Sequence, residues 1–351
     1  MDYRQLGASG LRVSSITLGT MGFGGTGWAS AVGKIDVDGA RRQIDLARAA
    51  GVTLFDTADI YSDGRSEEIL GQALGASRDD VLVATKVRMT MGDGPNDAGL
   101  SRYHIIRAAE ASLRRLSTDH IDLYQVHAWD GQTPLEETLH ALDTLVTSGK
   151  VRYIGASNYS GWQLMKALWT ADRAGTQSFV SQQIYYSLQA REAEDELVPV
   201  SIDRGLGILV WSPLAGGLLS GKYRKGQDAP AGSRRFEGWT EPPVYDEDKL
   251  YSTVDELLAI AEAHGVSAAQ ISLAWTLGRP AVTSVIVGAR TEEQLSDNLA
   301  AASLQLTPDE RARLDAVSAR PLGYPHWHQA NNSGDRLGAA ELSLLGTHLP
   351  E

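Results

Sequence analysis

Eight short apolar segments alternate with segments of helical periodicity along most of the chain. The apolar segments begin near residues 14, 52, 81, 121, 151, 179, 207 and 282. Alternation of this kind indicates βα units whose strands form a parallel sheet. Eight units predict an α/β fold with a closed (β/α)8 TIM barrel, and 351 residues is an ordinary length for one such barrel. We therefore expect a single domain over residues 1–351.

Two segments interrupt this repeat. Residues 3–14 read YRQLGASGLRVS, which predicts an N-terminal β-hairpin that closes one end of the barrel. Residues 223–248 follow the seventh strand and are rich in Gly, Pro and charged residues. A loop of this length in a compact domain is usually a lid or a binding loop. The tail from Pro321 onwards is a candidate to fold over the mouth of the barrel.

Four residues that can hold or exchange protons follow three of the predicted strands. Asp56 ends the strand that begins at 52, and Tyr61 lies in the loop after it. Lys86 ends the next strand, and His127 ends the one after that. Barrels place their chemistry at the C-terminal ends of the strands. A carboxylate, a phenol, an ammonium and an imidazole that meet there predict a proton-donating site, and neither a metal site nor an acyl-transfer site.

A glycine motif near the first strand resembles a nucleotide-binding fingerprint. Residues 22–27 read GFGGTG and match the pattern G-x-G-x-x-G. That fingerprint requires a helix to start at its last glycine, so that a pyrophosphate rests on the helix N-terminus. Here WASAVGKID follows before any helical pattern begins. We therefore interpret the motif as a flexible loop at the barrel mouth.

The composition argues against several classes of partner. The formal net charge is −12, which disfavours binding to nucleic acid or to an anionic membrane. The chain has no cysteine, which excludes disulfides, thiolate nucleophiles and cysteine zinc sites. It shows no signal-peptide pattern and no apolar run that could span a bilayer, so we expect a cytoplasmic protein.

Several motifs in the chain resemble the aldo-keto reductase family. They are FDTADIYSDGRSEEILG at 55–71, ATK at 84–86, LYQVH at 123–127 and GASN at 155–158. Their order is that of the family, and the similarity extends over most of the chain. The nearest likeness is to bacterial members related to aryl-alcohol dehydrogenases and to potassium-channel β subunits. The resemblance implies reversible, NADPH-dependent reduction of aldehydes or ketones to alcohols.

The resemblance also implies a role for each of the four polar residues. The cofactor would supply a hydride to carbon, and Tyr61 would supply a proton to oxygen. Lys86 would lower the pKa of the phenol, because a nearby cation favours phenolate. Asp56 would hold Lys86 through a charge-assisted hydrogen bond. His127 would orient the carbonyl oxygen or assist the proton transfer.

Further family positions imply a cofactor groove. Those expected near the nicotinamide are Ser157, Asn158, Gln183 and Trp211, with the Trp211 ring stacked on the nicotinamide. Gly19, Thr20 and Met21 are also expected to bind the cofactor. Those expected near the pyrophosphate are Ser212, Leu214, Gly216, Leu218 and Lys222. Those expected near the adenosine are Gly288, Arg290, Gln294 and Asn298.

The adenosine segment departs from the better-known animal members. Gly288 and Ala289 replace the usual Lys-Ser pair, and Gln294 replaces the usual Arg. Arg290 is then the one strong cation of the segment for a 2′-phosphate. We expect NADPH as the cofactor, with NADH left open.

The substrate pocket is expected to have an aromatic wall. The candidate residues are Phe23, Trp28, Trp129 and Trp327, with Met21 beside them. Such a wall suits carbonyl compounds with a ring or an alkyl body. Two other functions stay open: a cofactor-binding regulatory subunit of the same fold with slow turnover, and a metal-dependent barrel hydrolase. The hydrolase would need clustered metal ligands, for which Lys86 and Tyr61 are poor partners.

Overall fold

Eight parallel strands form a closed barrel in the computed structural model, which describes residues 1–27 and 31–349. In the order of the chain the barrel strands are β3 (Ile16–Gly19), β4 (Leu54–Asp56), β5 (Leu82–Val87), β6 (Ile121–Val126), β7 (Val151–Ser157), β8 (Ser181–Tyr185), β9 (Gly207–Trp211) and β10 (Val282–Val287). Each strand pairs with the next, and β10 pairs with β3 to close the barrel. The predicted fold class is confirmed.

Helices surround this barrel. They are α1 (Val37–Ala49), α2 (Arg65–Leu74), α3 (Arg102–Leu116), α4 (Leu135–Thr147), α5 (Gly161–Ala174), α6 (Leu197–Arg204), α7 (Glu247–His264), α8 (Ala268–Leu277), α9 (Glu292–Ala300), α10 (Pro308–Val317), α11 (His326–Asn332) and α12 (Ala339–Leu345). The pattern of residues 192–203 predicts one continuous helix. The structure has a short 3-10 turn at Glu192–Glu194 and then α6, whose helical geometry begins only at Leu197.

The N-terminal hairpin closes the end of the barrel opposite the site. Its strands β1 (Tyr3–Gln5) and β2 (Arg12–Ser14) pair antiparallel. Leu6 and Val13 are fully buried, and they pack with residues of β4, β5, β6 and β9 in a cluster separate from the main core. The hairpin therefore fills the end of the barrel interior at the N-terminal ends of the strands.

Most of the hydrophobic core lies between the barrel strands and the helices. All six residues of β6 and all six of β10 are buried. Continuous burial is typical of parallel strands that have a core on both faces. Removing one such side chain, for example by Val285→Ala, should cost on the order of 2 kcal/mol of stability. This packing holds the strand ends at fixed positions.

The long loop and the tail lie in different places. The loop after β9 runs from a 3-10 turn at Ala215–Ser220 to the start of α7, and part of it reaches the cavity described below. In the tail, α12 packs against α6, and His326 Nε2 lies 3.9 Å from Glu196 Oε1. The tail contributes no side chain to the cavity lining formed by the described residues. It packs on the flank of the barrel instead of over its mouth.

Helices α7 and α8 meet at an angle of 100°. Together they reach the length and apolar composition of a membrane span, but within residues 1–27 and 31–349 no single helix does. Leu250, Val254 and Leu257 of α7 and Ile271 and Leu273 of α8 are all buried in the main core.

Candidate active site

A cavity of about 760 Å³ opens at the C-terminal end of the barrel. The last residues of five strands, Gly19, Asp56, Ser157, Trp211 and Val287, line it, together with Gln183 from the middle of β8. Because parallel strands end at one rim of a barrel, residues far apart in the chain meet in this cavity. The loops after β3, β9 and β10 supply much of the remaining wall, and the segments after β4, β5, β6 and β7 each add one or two residues.

The polar tetrad of Asp56, Tyr61, Lys86 and His127 is assembled at one end of this cavity. Lys86 Nζ donates to Asp56 Oδ1 at 2.6 Å and lies 3.4 Å from the Tyr61 hydroxyl oxygen. The Tyr61 and His127 rings meet edge to face, with their centroids 5.9 Å apart. Tyr61 and His127 line the cavity, whereas Lys86 is fully buried behind them. The sequence therefore selected four residues that the fold brings into contact.

Two glutamines complete the hydrogen bonding of Asp56. Gln183 Nε2 donates to Asp56 Oδ2 at 2.8 Å, and Gln125 Nε2 donates to the same oxygen at 3.2 Å. Lys86 Nζ also donates to the backbone oxygen of Thr57 at 2.8 Å. A buried ion pair is stable only when its remaining polar atoms are satisfied, as they are here. The sequence analysis missed Gln125, although its inward position on β6, two residues before His127, was a usable signal.

Burial and the ion pair set the proton affinities of Lys86 and Tyr61. Burial alone would lower the pKa of Lys86, but the charges of Asp56 and Tyr61 raise it above its ordinary value, so the amine stays protonated. Burial raises the pKa of Tyr61, and Lys86 only partly offsets this increase. Lys86 therefore lowers the pKa of the phenol in the expected direction, but burial raises that pKa by more. Tyr61 is a protonated phenol that faces the cavity.

The imidazole of His127 is neutral at physiological pH. Burial, together with the charges of Lys86 and Arg88, lowers its pKa to about 3. Its Nδ1 is buried and has no hydrogen-bond partner in the described chain. A neutral imidazole can donate one hydrogen bond to a ligand oxygen without adding charge to the site.

A second polar group lies beside His127, at the ends of β7 and β9. Asn158 Nδ2 donates to the backbone oxygen of His127 at 3.0 Å, and Trp211 Nε1 donates to Asn158 Oδ1 at 3.0 Å. The Trp211 ring stacks on Tyr185, with ring centroids 4.9 Å apart. Ser157 Oγ donates to the backbone oxygen of Gln183 at 2.9 Å. These contacts fix a flat aromatic ring and an amide at the cavity wall.

The turn after β9 forms the middle of the cavity. Ser212, Leu214 and Gly216 line it. Gly216 has a φ of 66°, and a Cβ atom there would lie 3.0 Å from the backbone oxygen of Glu241, so the long loop closes directly over this glycine. The Gly216 N–H donates to Ser212 Oγ at 3.0 Å. Leu218 is buried in the core and lies outside the described cavity lining.

Three cations converge at the far end of the cavity. Lys222 comes from the end of the turn, Arg234 from the long loop and Arg290 from the loop after β10. Burial, with the nearby charges of Arg234 and Arg290, lowers the pKa of Lys222, and burial and Arg290 lower that of Arg234. None of the three forms an ion pair with a carboxylate in the described part of the chain. A cluster of cations without carboxylate partners is typical of anion-binding sites.

Arg290 is the most constrained of the three cations. Its Nη2 donates to the backbone oxygen of Ala31 at 2.6 Å, its Nε to that of Val32 at 3.2 Å, and its Nη1 to that of Gly232. Its guanidinium thus links the loop after β3 to the long loop. Gly288, Gln294 and Asn298 line the cavity beside it, and Gln294 Oε1 accepts the Arg290 N–H at 3.0 Å.

Comparison with known proteins identifies the family. The aldo/keto reductase family model matches residues 15–319. The chain belongs to the aldo/keto reductase family. An uncharacterized oxidoreductase, YrpG, from Bacillus subtilis is 40% identical over 336 residues, which cover 92% of this chain and 98% of that protein.

Two further relatives carry more specific names. A probable voltage-gated potassium channel subunit beta from Oryza sativa is 39% identical over 327 residues, 90% of this chain and 96% of its own. Versiconal hemiacetal acetate reductase from Aspergillus parasiticus is 36% identical over 334 residues, 88% of this chain and 95% of its own. As a member of the family, the protein is an NAD(P)H-dependent oxidoreductase that acts on carbonyl compounds and uses a nicotinamide cofactor.

The aldo/keto reductase site contains most of the residues expected from the sequence, but not the aromatic wall. Phe23 is buried in the core, and Trp129 packs edge to face on Tyr159 and Trp162. Trp327 lies on α11 and is 47% exposed. These three side chains are outside the cavity lining as far as the chain is described. Trp28 lies outside the described residues.

Other apolar residues line the cavity in this aldo/keto reductase. Ile60 precedes Tyr61, Met89 follows β5, Val32 lies in the loop after β3, and Trp239 comes from the long loop. The sequence analysis missed them because the paths of loops are not set by periodicity. Arg234 was missed for the same reason. The described residues hold no group of three or more His, Asp or Glu side chains that could bind a metal ion, so the hydrolase alternative has no support.

Proposed function

We propose that the protein reduces aldehydes or ketones to alcohols, reversibly, with NADPH as the cofactor and Tyr61 as the proton donor. The observation that carries this proposal is the shape of the cavity. One end presents a protonated phenol 3.4 Å from a buried ammonium, and the other end presents three cations that have no carboxylate partner among the described residues. A dinucleotide phosphate has a reactive ring at one end and a phosphate near the other, so it suits a cavity of this kind.

The chemistry of the tetrad suits proton donation to a developing alkoxide. Bound NADPH would supply the hydride. As negative charge grows on the carbonyl oxygen, Tyr61 gives up its proton, and the charge of Lys86 stabilises the phenolate that remains. Asp56 keeps Lys86 charged and in place, since a lone buried ammonium would lose its proton. His127, as a neutral donor, would hold the carbonyl oxygen near the phenol.

The polar residues near the tetrad fit a nicotinamide. Trp211 offers a flat ring for stacking, and the side chains of Ser157 and Asn158 lie beside it on the cavity wall. Gln183 also lines the cavity, but its Nε2 is already used by Asp56. We propose that Gln183 therefore has two roles: it holds Asp56, and its amide oxygen is available to the carboxamide.

The cation cluster favours NADPH over NADH. Arg234 and Lys222 have charges that no carboxylate in the described chain neutralises, and a 2′-phosphate would do so. Arg290 already donates to three backbone oxygens, so it has fewer free N–H groups to offer. We propose that all three residues contact the 2′-phosphate end of the cofactor, with Gln294 and Asn298 near the adenine.

The cavity lining favours a substrate with an apolar body. Ile60, Met89 and Trp239 lie in the lining with Tyr61 and His127 and present mainly carbon atoms. Carbonyl compounds with a ring or an alkyl body would fill this space. The relative from Aspergillus parasiticus is named versiconal hemiacetal acetate reductase, and a substrate of the kind in that name agrees with this lining.

A regulatory subunit with slow turnover is the second candidate function. It is favoured by the relatives named as potassium channel β subunits, in Oryza sativa at 39% and in Arabidopsis thaliana at 38% identity. The complete tetrad argues for turnover. The test is oxidation of NADPH, and separately of NADH, over aliphatic, aromatic, sugar and quinone carbonyls, with chromatography of the alcohol product. Alcohol formed in step with NADPH oxidation supports the enzyme, whereas tight NADPH binding without product supports the regulatory subunit.

A further inference from the structure

A buried carboxyl group lies directly behind the tetrad. Asp59 is 1% exposed, and its backbone N–H donates to the backbone oxygen of Lys86 at 3.3 Å. Its Oδ1 accepts the N–H of Ile60 at 2.7 Å, and Tyr61 is the next residue. Its Oδ2 is buried without a hydrogen-bond partner in the described chain. One carboxyl oxygen thus fixes the turn that carries Tyr61, while the other is unsatisfied.

The charges around Asp59 are already paired one to one. Lys86 pairs with Asp56 at 2.6 Å, and Arg115 Nε pairs with Glu67 Oε2 at 2.6 Å. An ionised Asp59 would be a third anion beside two cations that already have partners. A buried carboxylate without a counterion takes up a proton, because an isolated buried charge is very unfavourable.

The neighbouring groups are consistent with a neutral Asp59. Burial, and next the charge of Glu67, raise the pKa of Asp59 to about 8, although Arg115 and Lys86 act in the opposite direction. The hydroxyl of Tyr124 is also fully buried without a partner in the described chain. A protonated carboxyl can donate as well as accept a hydrogen bond, whereas a carboxylate can only accept.

We propose that Asp59 is a positioning residue that supports Tyr61 as a neutral carboxylic acid and slows carbonyl reduction when it ionises. The proposal rests on the proposed role of Tyr61 as the proton donor. The negative charge of Asp59 disfavours phenolate at Tyr61, as that of Asp56 does. Above about pH 8, where Asp59 loses its proton, Tyr61 therefore becomes a weaker acid. Reduction should slow in this range, well below the pH at which Tyr61 itself ionises.

The pH dependence of turnover tests the proposal. Asp59→Asn keeps an oxygen for the Ile60 N–H but cannot ionise, and Asp63→Asn removes an exposed carboxylate of the same turn as a control. At saturating NADPH and carbonyl, the wild type and Asp63→Asn should lose turnover above about pH 8. Asp59→Asn should hold its turnover to at least about one pH unit higher. Superimposable profiles of Asp59→Asn and the wild type would overturn the proposal.

Infrared spectroscopy detects the protonated carboxyl group of Asp59 directly and does not depend on turnover. The wild type minus Asp59→Asn difference spectrum should show the carbonyl stretch of a protonated carboxylic acid at neutral pH, and this band should vanish above about pH 8. A wild type without this band at neutral pH overturns the proposal, whatever the rates. If Tyr61→Phe retains turnover, the proposed function fails. If Tyr61→Phe is inactive while Asp59→Asn follows the wild type at every pH, only the role of Asp59 fails.

Discussion

The two ends of the cavity are built in different ways. At the proton-donating end, the Lys86 and Asp56 side chains are 0% and 3% exposed, and each is held by several hydrogen bonds from barrel residues. At the cationic end, Lys222 is exposed, Arg234 and Arg290 are half-buried, all three come from loops, and none has a carboxylate partner in the described chain. The first end is organised before a ligand arrives. The second has charges that a ligand would neutralise.

This difference separates the expected effects of substitution. In the proposed function, the tetrad meets the reacting atoms and holds little of the cofactor, so changes there should act on the rate of the chemical step. The cationic end would hold the cofactor away from its nicotinamide, so changes there should act on cofactor affinity and choice. Each prediction below tests this separation, from the largest effect to the smallest.

Tyr61→Phe should have the largest effect. Loss of the proton donor should reduce carbonyl reduction by about 10²–10⁴-fold, the usual contribution of a general acid. The dissociation constant for NADPH should hardly change, because the hydroxyl does not need to hold the cofactor. Steady-state NADPH oxidation and fluorescence titration measure the two quantities. Turnover within about tenfold of the wild type, roughly 1.4 kcal/mol of barrier, would exclude Tyr61 as the acid.

Lys86→Met should reduce turnover by about 10²-fold or more and should also destabilise the protein. It leaves Asp56 buried without its cation, at a cost of about 3–5 kcal/mol. The pKa of Tyr61 should rise further, because the cation that lowers it is gone, so any residual activity should extend to higher pH.

The control for Lys86→Met is the double variant with Asp56→Asn. It removes both charges and should recover much of the lost stability in urea unfolding, but no turnover. Recovery of turnover in the double variant, or an unchanged pH profile in Lys86→Met, would show that Lys86 is only structural.

Arg234→Ala should weaken NADPH binding by about 1.5–3 kcal/mol, the cost of losing hydrogen bonds to a charged group. NADH lacks the 2′-phosphate, so its affinity should stay nearly constant. Arg224→Ala is a matched control, because Arg224 lies in the same loop but pairs with Asp255 at 3.4 Å and is outside the described lining. If Arg234→Ala lost the same amount of affinity for NADPH and for NADH, Arg234 would shape the loop without contacting the phosphate.

Arg290→Ala should have the smallest effect. It should weaken the binding free energy of NADPH by about 1 kcal/mol more than that of NADH. Its guanidinium already donates to three backbone oxygens, so it has less to offer a phosphate, and its removal also loosens both loops. NADH affinity should therefore fall slightly as well. Fluorescence titration with both cofactors measures the difference, and a preference for NADPH that is fully retained would remove Arg290 from the phosphate site.

The two ends also differ in how far the sequence could predict them. Asp56, Lys86 and His127 lie at strand ends, where barrel geometry fixes neighbours, so alternation and residue type were enough to bring them together. Arg234 lies in a long loop whose path depends on tertiary contacts, such as the close approach of Glu241 to Gly216. The expected aromatic wall was not found at Phe23 and Trp129 for the same reason, since both lie in loops. Phe23 packs in the core, and Trp129 packs against Tyr159.

The direction in which the pKa of Tyr61 shifts could not be predicted from the sequence either. The motif predicts that Lys86 is near the phenol, and it is, but the direction of the net shift depends on how much water the site excludes. Burial outweighs the cation here and raises the pKa. The sequence therefore predicted correctly that Lys86 lies beside Tyr61, but it did not predict that burial outweighs the cation.

The most direct test of the account is a single-turnover measurement on two variants side by side. NADPH-loaded Tyr61→Phe and Arg234→Ala are mixed with a carbonyl compound that the wild type reduces, and the decay of NADPH fluorescence gives the rate at saturation. We expect Tyr61→Phe to bind NADPH normally and transfer hydride at least about 10²-fold more slowly, and Arg234→Ala to bind weakly and transfer hydride at the wild-type rate. If either variant changed both the affinity and the rate to a similar degree, the division of the cavity into a chemical end and a binding end would be contradicted.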